Sequence, residues 1–376
     1  MNHFNLMRTV MVTVTVLATL AFMIWNPLTT IAQEQSESKT VDVPKFQVDP
    51  FWLKPLPDRW VLGRIEGVCV DSQDHVFTVS QTLEHAIGNM FPDVFEQGWT
   101  LSPPVMEYDA EGRLVNSWGN RALLPKDPHG CFVDYQNNFW IGGESDGIVQ
   151  KYKHDGSEML LQVGTKGQFD TSDGTIEGAP MNSSRTLLNR PTEMVVDPSN
   201  GDLYISDGYG NRRVIVFDNK GNFLRQWGQQ GTKAQVEAGV GGVFLKVVHN
   251  ITIGWDGLVY VSDRTANRVQ VFDKMGNYKR SLLMEPKPGA RKGVGSACAV
   301  GFSRDPEHKF IFISSCADDE VRILDYTSGK VLSSFGRPGH LVGEMFAPHV
   351  MAVTSKGDIV VGSRVSEKIE MFRLTK

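Results

Sequence analysis

The stretch RPTEMVVDPSNGDLYISDGYGNRRVIVFDNKGNFLRQWG (residues 190–228) is followed by a second stretch of the same pattern, VVHNITIGWDGLVYVSDRTANRVQVFDKMGNYKRSLL (residues 247–283). Each contains four runs of alternating or β-branched residues, separated by turn pairs such as Asp256-Gly257 and Met275-Gly276. Such runs are typical of a four-stranded antiparallel meander. A repeated meander predicts a fold assembled from copies of one small sheet.

Fainter copies extend the repeat over most of the chain and begin near residues 65, 128, 296 and 348. Six copies then occupy residues 65–376, at roughly 50 residues each. Six four-stranded sheets arranged radially form an all-β, six-bladed β-propeller, which leaves only short sheet edges.

The sixth copy ends at Lys376 without its fourth strand. The segment DRWVLG at residues 58–63 has the pattern of such a strand and no copy of its own. We therefore predict that this N-terminal segment pairs with the last blade and closes the ring.

The first 32 residues differ from the repeats. Arg8 precedes an apolar run, which is followed by Pro27 and a small-residue ending at Ala32, as in a secretory signal peptide. An uncleaved membrane anchor is the alternative, disfavoured because the run is short and contains threonines. We expect a signal peptide at residues 1–32, a flexible lead-in at 33–50 and the propeller at 51–376 of a secreted or periplasmic protein without a stable membrane span.

Composition excludes several classes of protein. Hydrophobic residues make up 41% of the chain and charged residues 22%, as in an ordinary globular protein. The net charge of -5 provides no basic surface for phosphates, so we expect no nucleic acid partner. We also expect the protein to be a monomer. Four cysteines are too few and too scattered for a disulfide framework or a zinc ribbon, although Cys298 and Cys316 flank adjacent strands and could pair.

Histidine recurs at one position of the repeat. Copies two, four and six carry a histidine near the start of the innermost strand. In copies one to six this aligned position is occupied, in order, by Glu66, His129, Thr192, His249, Ala297 and His349. Innermost strands line the central channel, so three imidazoles should meet on the axis. Three imidazoles with an open position are the ligand set of a catalytic zinc ion, whereas three channel-lining histidines without a metal are the alternative. We assign the other histidines to the surface or to turns: His3, His75, His85, His154, His308 and His340.

A second repeated position lies at the end of the next strand, on the same face as the histidines. It is occupied by Gln81, Glu144, Tyr209, Arg264 and Arg364. An arginine fits a carboxylate, and a tyrosine near a metal can exchange a proton. Tyr209, Arg264 and Arg364 are therefore candidate catalytic residues, while a purely structural role of Tyr209 and Arg264 in the turn stays open. The long connections at residues 82–104, 165–189 and 229–246 should wall a pocket on this face.

The repeats resemble the NHL family of propellers over essentially everything after residue 50. The motifs PHG at Pro128, SDGY with Tyr209, VH with His249, SDR with Arg264, and PH at Pro348 resemble peptidyl-α-hydroxyglycine α-amidating lyase, the lyase domain of peptidylglycine α-amidating enzymes. The resemblance implies that His129, His249 and His349 bind zinc, that Tyr209 removes a hydroxyl proton and that Arg264 orients the substrate carboxylate. The family splits a peptidyl-α-hydroxyglycine into a peptide amide and glyoxylate, so a carbon–nitrogen lyase acting on a small or peptide-derived carboxylate is expected.

Three departures from the family pattern stand out. Gln81 occupies the place of a family arginine, and we expect Arg364, in the neighbouring copy, to supply that charge. Val350 replaces an aspartate that serves a structural calcium, which disfavours calcium here. Gly210 stands at a family cysteine. Two other functions compete: a non-catalytic NHL propeller that binds protein or glycan through its rim, and a lactonase-type hydrolase, whose usual Glu/Asn/Asp calcium set the axial histidines do not match.

Overall fold

The computed structural model describes residues 42–57, 59–81 and 96–376. In these residues six sheets of four antiparallel strands form a ring, so the predicted six-bladed β-propeller is confirmed. The predicted signal peptide and most of the connection at residues 82–104 lie outside the described residues. Within the described part of the chain, no helix has the length and apolar character needed to cross a membrane.

Each blade runs from an innermost strand at the channel to an outermost strand at the rim. Blade 1 comprises β3 (Ile65–Val70), β4 (Val76–Ser80), β6 (Val105–Tyr108) and β7 (Leu114–Trp118). Blade 2 comprises β8 (Pro128–Val133), β9 (Asn138–Gly143), β10 (Ile148–Lys153) and β11 (Met159–Val163). Blade 3 comprises β12 (Pro191–Val196), β13 (Leu203–Asp207), β14 (Arg213–Phe217) and β15 (Phe223–Trp227).

The second half of the ring follows the same order. Blade 4 comprises β18 (Val248–Ile253), β19 (Val259–Asp263), β20 (Arg268–Phe272) and β21 (Tyr278–Leu283). Blade 5 comprises β22 (Val300–Phe302), β23 (Phe310–Ser315), β24 (Glu320–Asp325) and β25 (Val331–Phe335). Blade 6 comprises β26 (Pro348–Val353), β27 (Ile359–Ser363), β28 (Lys368–Leu374) and, as its outermost strand, β1 (Phe46–Asp49).

Short elements decorate the connections between blades. The strands β2 (Trp60–Val61) and β5 (Thr100–Leu101) form a parallel pair, as do β16 (Gln229–Gln230) and β17 (Val243–Phe244). Helix α1 (Lys233–Glu237) lies between β16 and β17, and its N-cap Thr232 forms a capping box with Gln235. A 3₁₀ helix (Arg264–Ala266) follows β19.

An N-terminal strand closes the ring as predicted, but the prediction of residues 58–63 for it was wrong. The closing strand is β1, in which Phe46 pairs with Leu374 and packs on Phe312 and Phe335. A closing strand at the rim of blade 6 must be about 14 Å from the channel, three strand spacings away. Residues 62–64 join β2 to β3 and would cover about 14 Å only if fully extended, and β2 pairs with β5 instead. The ordered strand β1 also corrects the flexible lead-in at 33–50 and the propeller start at 51.

The hydrophobic core is divided among the six contacts between neighbouring blades. Six clusters of buried residues each combine side chains from two adjacent blades. Between blades 1 and 2, for example, Phe77 and Phe139 lie with ring centroids 5.3 Å apart. The cluster between blades 6 and 1 joins Ile65 to Val360 and completes the ring. Every blade is thus held on both sides by apolar burial, which fixes the position of its innermost strand.

Two disulfides are present among the described residues. Cys298 pairs with Cys316 inside blade 5, which settles the pairing that the sequence leaves open. Cys69 on β3 pairs with Cys131 on β8 and joins blade 1 to blade 2. The sequence does not indicate this second pair, because the two cysteines become neighbours only when adjacent blades pack.

Candidate active site on the propeller axis

The three registered histidines meet at the centre of the ring. His129, His249 and His349 come from blades 2, 4 and 6 and are almost completely buried. One ring nitrogen of each lies within 4.8 Å of the others. The Nε2 atoms of His249 and His349 are 2.9 Å apart.

A β-bulge beside each histidine aims it at the axis. The strand register shifts between His129 and Cys131, between Val248 and Ile251, and between Pro348 and Val350. A bulge re-aims the adjacent side chain. In blade 2 the bulge contains Gly130 with φ 75°, and a Cβ there would lie 2.6 Å from the Thr192 carbonyl oxygen. Glycine is needed at this position both for its backbone angle and for the close approach of blade 3.

The other nitrogen of each imidazole contacts the next blade. His129 Nδ1 donates to the Thr192 carbonyl at 2.7 Å, and His249 Nδ1 donates to the Cys298 carbonyl at 2.8 Å. His349 Nδ1 lies at ion-pair distance, 3.1 Å, from Glu66 Oε2. The carbonyl acceptors require the proton of His129 and His249 on Nδ1. The Glu66 carboxylate favours the same tautomer of His349 by its charge, although the contact lacks hydrogen-bond geometry, and the Nε2 lone pairs then face one another.

This arrangement fits a metal cation. Two Nε2 lone pairs 2.9 Å apart repel unless a positive charge lies between or beside them, and His129 Nε2 is buried without a hydrogen-bond partner. Burial lowers the pKa of His129 to about 4 and holds the pKa values of His249 and His349 well below the ordinary value. The imidazoles are therefore neutral at pH 7, which is the form that binds zinc.

Tyr209 and Arg264 lie beside the histidines. The Tyr209 ring is 5.4 Å from the His129 ring between centroids, and Arg264 Nη1 donates to the Tyr209 hydroxyl at 3.1 Å. The guanidinium groups of Arg264 and Arg190 lie 5.4 and 5.5 Å from the centroid of the Tyr209 ring. Burial raises the pKa of Tyr209, and the charge of Arg264 opposes this rise. The arginines thus favour a phenolate that burial alone would disfavour.

A cavity of about 250 Å³ adjoins this group and is lined by Arg64, Gln81, Asp127, Glu144, Ser145, Arg190 and Arg364. Arg364 Nε donates to Glu66 Oε1 at 2.8 Å, and Glu66 therefore links Arg364 to His349. Gln81 is buried, and its Oε1 has no hydrogen-bond partner. Arg190 forms an ion pair with Glu144.

The structure brings together five of the six predicted site residues, and it places Arg364 in the adjoining cavity with Gln81. The sequence reasoning missed Arg64 and Arg190. Each stands two residues before the repeated histidine position, ahead of Glu66 and Thr192, so a third aligned position would have revealed them.

The departures from the amidating lyases also have a local setting. The Val350 side chain packs in the apolar cluster between blades 6 and 1 and offers no carboxylate. A Cβ on Gly210 would lie 2.0 Å from Asn189 Oδ1, so a cysteine does not fit the present backbone. Asp207 and Asp263 stabilise the turns that carry Tyr209 and Arg264, since both carboxylates accept hydrogen bonds from arginines of the following strand, Arg213 and Arg268.

The chain was compared with known proteins. No protein-family model matches it. It is 23% identical to peptidylglycine alpha-amidating monooxygenase of Rattus norvegicus over 337 residues, which is 84% of this chain and 31% of that protein. It is also 23% identical to a probable peptidyl-alpha-hydroxyglycine alpha-amidating lyase of Caenorhabditis elegans, covering 83% of each chain.

The chain is thus similar in sequence to several amidating enzymes. It spans 25–31% of the length of the monooxygenases that it matches. NHL repeat-containing protein 3 of Mus musculus is 26% identical over 240 residues, 61% of this chain and 57% of that protein. Among solved structures, a streptogramin B lyase superposes with a TM-score of 0.55 at 12% identity, covering 89% of this chain and 98% of that one, and supports the propeller fold alone. The similarity to the amidating enzymes supports a lyase-like propeller.

Proposed function

We propose that this protein is an extracytoplasmic, zinc-dependent carbon–nitrogen lyase that cleaves an α-hydroxylated amide of the peptidyl-α-hydroxyglycine type to an amide and glyoxylate. The observation that carries the proposal is the meeting of three buried, neutral imidazoles with Tyr209 and Arg264 on the axis. Two disulfides and the N-terminal leader pattern support an extracytoplasmic location.

His129, His249 and His349 would hold the zinc ion, which would supply Lewis-acid activation of the substrate hydroxyl. Calcium is not part of the proposal. The buried Nδ1 contacts to Thr192, Cys298 and Glu66 keep the imidazoles oriented.

Tyr209 acts as the general base. Its phenolate, favoured by Arg264, takes the proton of the substrate hydroxyl. The electrons of that O–H bond form the carbonyl of glyoxylate, the carbon–nitrogen bond breaks, and the amide nitrogen takes up a proton. The products together contain the atoms of the substrate, so no oxidant or water is consumed.

The substrate carboxylate is held by arginines at the mouth of the channel. Arg264 lies beside Tyr209, while Arg64 and Arg364 line the cavity that contains Gln81. Guanidinium groups bind carboxylates through paired hydrogen bonds. Arg64 and Arg364 together replace the first-blade arginine whose position Gln81 occupies. Their positive charges would attract an anionic substrate to this cavity although the protein has a net charge of -5.

A glyoxylate-release assay with a peptidyl-α-hydroxyglycine tests the proposal. We expect turnover with zinc-loaded protein, its loss in Tyr209→Phe, and a raised KM in Arg364→Ala. Arg113→Ala is the matched control, because Arg113 is exposed in a rim turn of blade 1 and should leave both constants unchanged. A folded protein that binds no zinc and releases no glyoxylate contradicts the proposal and favours an NHL propeller that binds a partner through its rim.

A further inference from the structure

A second group of potential metal ligands lies between blades 1 and 2. It consists of Asp71, His75, Glu107 and His154, here called the inter-blade cluster. Asp71 follows the end of β3 that is remote from Glu66, so the cluster lies on the face opposite the axial histidines. His75 Nδ1 is 2.6 Å from Glu107 Oε1 and 3.9 Å from Asp71 Oδ2. His154 Nε2, from blade 2, is 3.1 Å from the same Asp71 oxygen.

Local structure holds these groups in place. Asp71 Oδ1 accepts hydrogen bonds from the backbone N–H groups of Gln73 and His75, both at 2.8 Å, which leaves Oδ2 facing the imidazoles. The His154 ring packs edge-on against Phe77 at 5.1 Å. The side chains of Asp71 and Glu107 are 0% and 6% exposed, whereas those of His75 and His154 are 27% and 23% exposed. The carboxylates are therefore buried, and the imidazole side is open to an ion from solvent.

Blade 2 contains the same turn with a different balance of charge. Asp134 is its counterpart of Asp71 and binds Lys151 at 3.3 Å. Lys151 lies opposite Trp140 in the sheet, at the position that Glu107 occupies opposite Phe77 in blade 1. Blade 1 thus has two buried carboxylates where blade 2 has a carboxylate and a lysine.

Blade 3 makes the corresponding contact across a blade boundary. Asp197 binds Lys274 of blade 4 at 2.6 Å, and Lys274 has the same place in its turn as His154 has in blade 2. At the boundary of blades 1 and 2, neither lysine is present: Glu107 replaces the first and His154 of blade 2 replaces the second. The imidazoles of His75 and His154 lie beside the carboxylates instead. The two buried carboxylates of blade 1 therefore face imidazole nitrogens, which can bind a metal ion, in place of lysine ammonium groups, which cannot.

We propose that the inter-blade cluster binds a second divalent transition-metal ion, zinc by the chemistry of its donors, that joins blade 1 to blade 2. Asp71, His75 and Glu107 offer ligand atoms within 4.8 Å of one another, and His154 Nε2, which lies 3.1 Å from the Asp71 oxygen, is a fourth donor at the edge of this group. Imidazole and carboxylate donors of this kind suit a structural zinc ion, which would neutralise both carboxylates. The site lies at the same boundary as the Cys69–Cys131 disulfide. It would give a ligand role to His75 and His154, which the sequence assigns to the surface or to turns, and it does not rest on the proposed lyase activity.

The test removes all metal from the full-length protein with a chelator and then adds zinc back. A chromophoric chelator that competes for zinc reports how many zinc ions each chain binds. We expect two zinc ions per chain for the wild type, one for His249→Ala and one for the double variant His75→Ala/His154→Ala. The triple variant, which combines all three substitutions, should bind none. His308→Ala, which removes another surface histidine, should retain two. Zinc should raise the melting temperature of His249→Ala but not that of the triple variant.

Glu107→Gln keeps the shape of the cluster and removes one charge, so it serves if the double variant does not fold. We expect this variant to bind its second zinc at least 10-fold more weakly. The inference is wrong if His249→Ala binds no zinc, or if the double variant binds as much as the wild type. In either case a glyoxylate assay of the wild type still reports on the axial site separately, since none of the inter-blade residues lies there.

Discussion

Even-numbered and odd-numbered blades use the same repeat position in different ways. Blades 2, 4 and 6 place His129, His249 and His349 on the axis. Blades 3, 5 and 1 each supply the oxygen that contacts the preceding histidine at Nδ1: the carbonyls of Thr192 and Cys298 and the carboxylate of Glu66. A repeat of one architecture has thus been divided into histidine blades, which place an imidazole on the axis, and supporting blades.

Blade 1 differs from the other two supporting blades. Its contribution is a side chain, Glu66, which also binds Arg364 at 2.8 Å, whereas blades 3 and 5 contribute backbone carbonyls. Substitution can remove a carboxylate but not a carbonyl. Support from blade 1 should therefore be sensitive to mutation, while support from blades 3 and 5 should depend on the fold.

The largest expected effect is that of removing one of the three axial imidazoles. His249→Ala should lose the axial zinc and reduce glyoxylate release by more than the roughly 10- to 100-fold typical of losing an outer partner of a metal ligand. Single-turnover glyoxylate release and zinc content of the same preparation provide the measurement. An active His249→Ala protein would show that alternate blades do not supply the ligands.

Glu66→Gln should have the next largest effect, because it removes the carboxylate behind His349 while preserving its size. We expect the axial zinc affinity to fall by roughly 10- to 100-fold. Chelator competition in a His75→Ala/His154→Ala background measures this site alone. An affinity equal to that of the background protein would mean that Glu66 serves Arg364 and not the metal ligand.

A smaller effect should appear in the pH dependence of stability, through Glu193 in supporting blade 3. Burial raises the pKa of Glu193 to about 8. The folded protein therefore retains a proton between pH 4.5 and 8 that the unfolded chain has lost, and the free energy of unfolding should fall as pH rises through this window. Because solvent reaches part of the side chain, we expect a total of about 1 kcal/mol over this window, well below the limit of about 5 kcal/mol that about 1.4 kcal/mol per pH unit would give.

Denaturant unfolding of metal-free protein at several pH values tests the Glu193 prediction. Glu193→Gln should remove this part of the pH dependence, and Glu111→Gln, at an exposed rim position, should not. Equal slopes for Glu193→Gln and the wild type would refute the raised pKa.

The smallest effect should follow from Thr192→Ser. The contact to His129 is made by the backbone carbonyl, and a serine hydroxyl can replace the Thr192 Oγ1 bonds to Ser206 and Val248. Apart from the effect of the lost methyl group, we expect the free energy of unfolding to change by no more than about 0.5 kcal/mol. Zinc affinity should stay within about threefold of the wild type, which is a roughly neutral outcome. A large loss of zinc would place the support in the side chain.

Much of the site follows from repeat arithmetic. One repeat position identified His129, His249 and His349, and the next aligned position identified Tyr209 and Arg264. Arg64 and Arg190 escaped because they precede the strand and were not aligned. The closing strand escaped because residues 58–63 have the pattern of a strand, whereas the tertiary structure pairs β2 with β5 and β1 with β28.

The sequence alone determined the number of blades and the alternation of histidines, because both follow from periodicity along the chain. Only the tertiary structure decided the oxygen partners of the imidazoles, the Cys69–Cys131 pair and the inter-blade cluster. Each of these joins residues of two different blades, and such contacts arise from the packing of neighbouring sheets around the ring. Hydrophobic burial between blades sets that packing, and no single repeat contains the information for it.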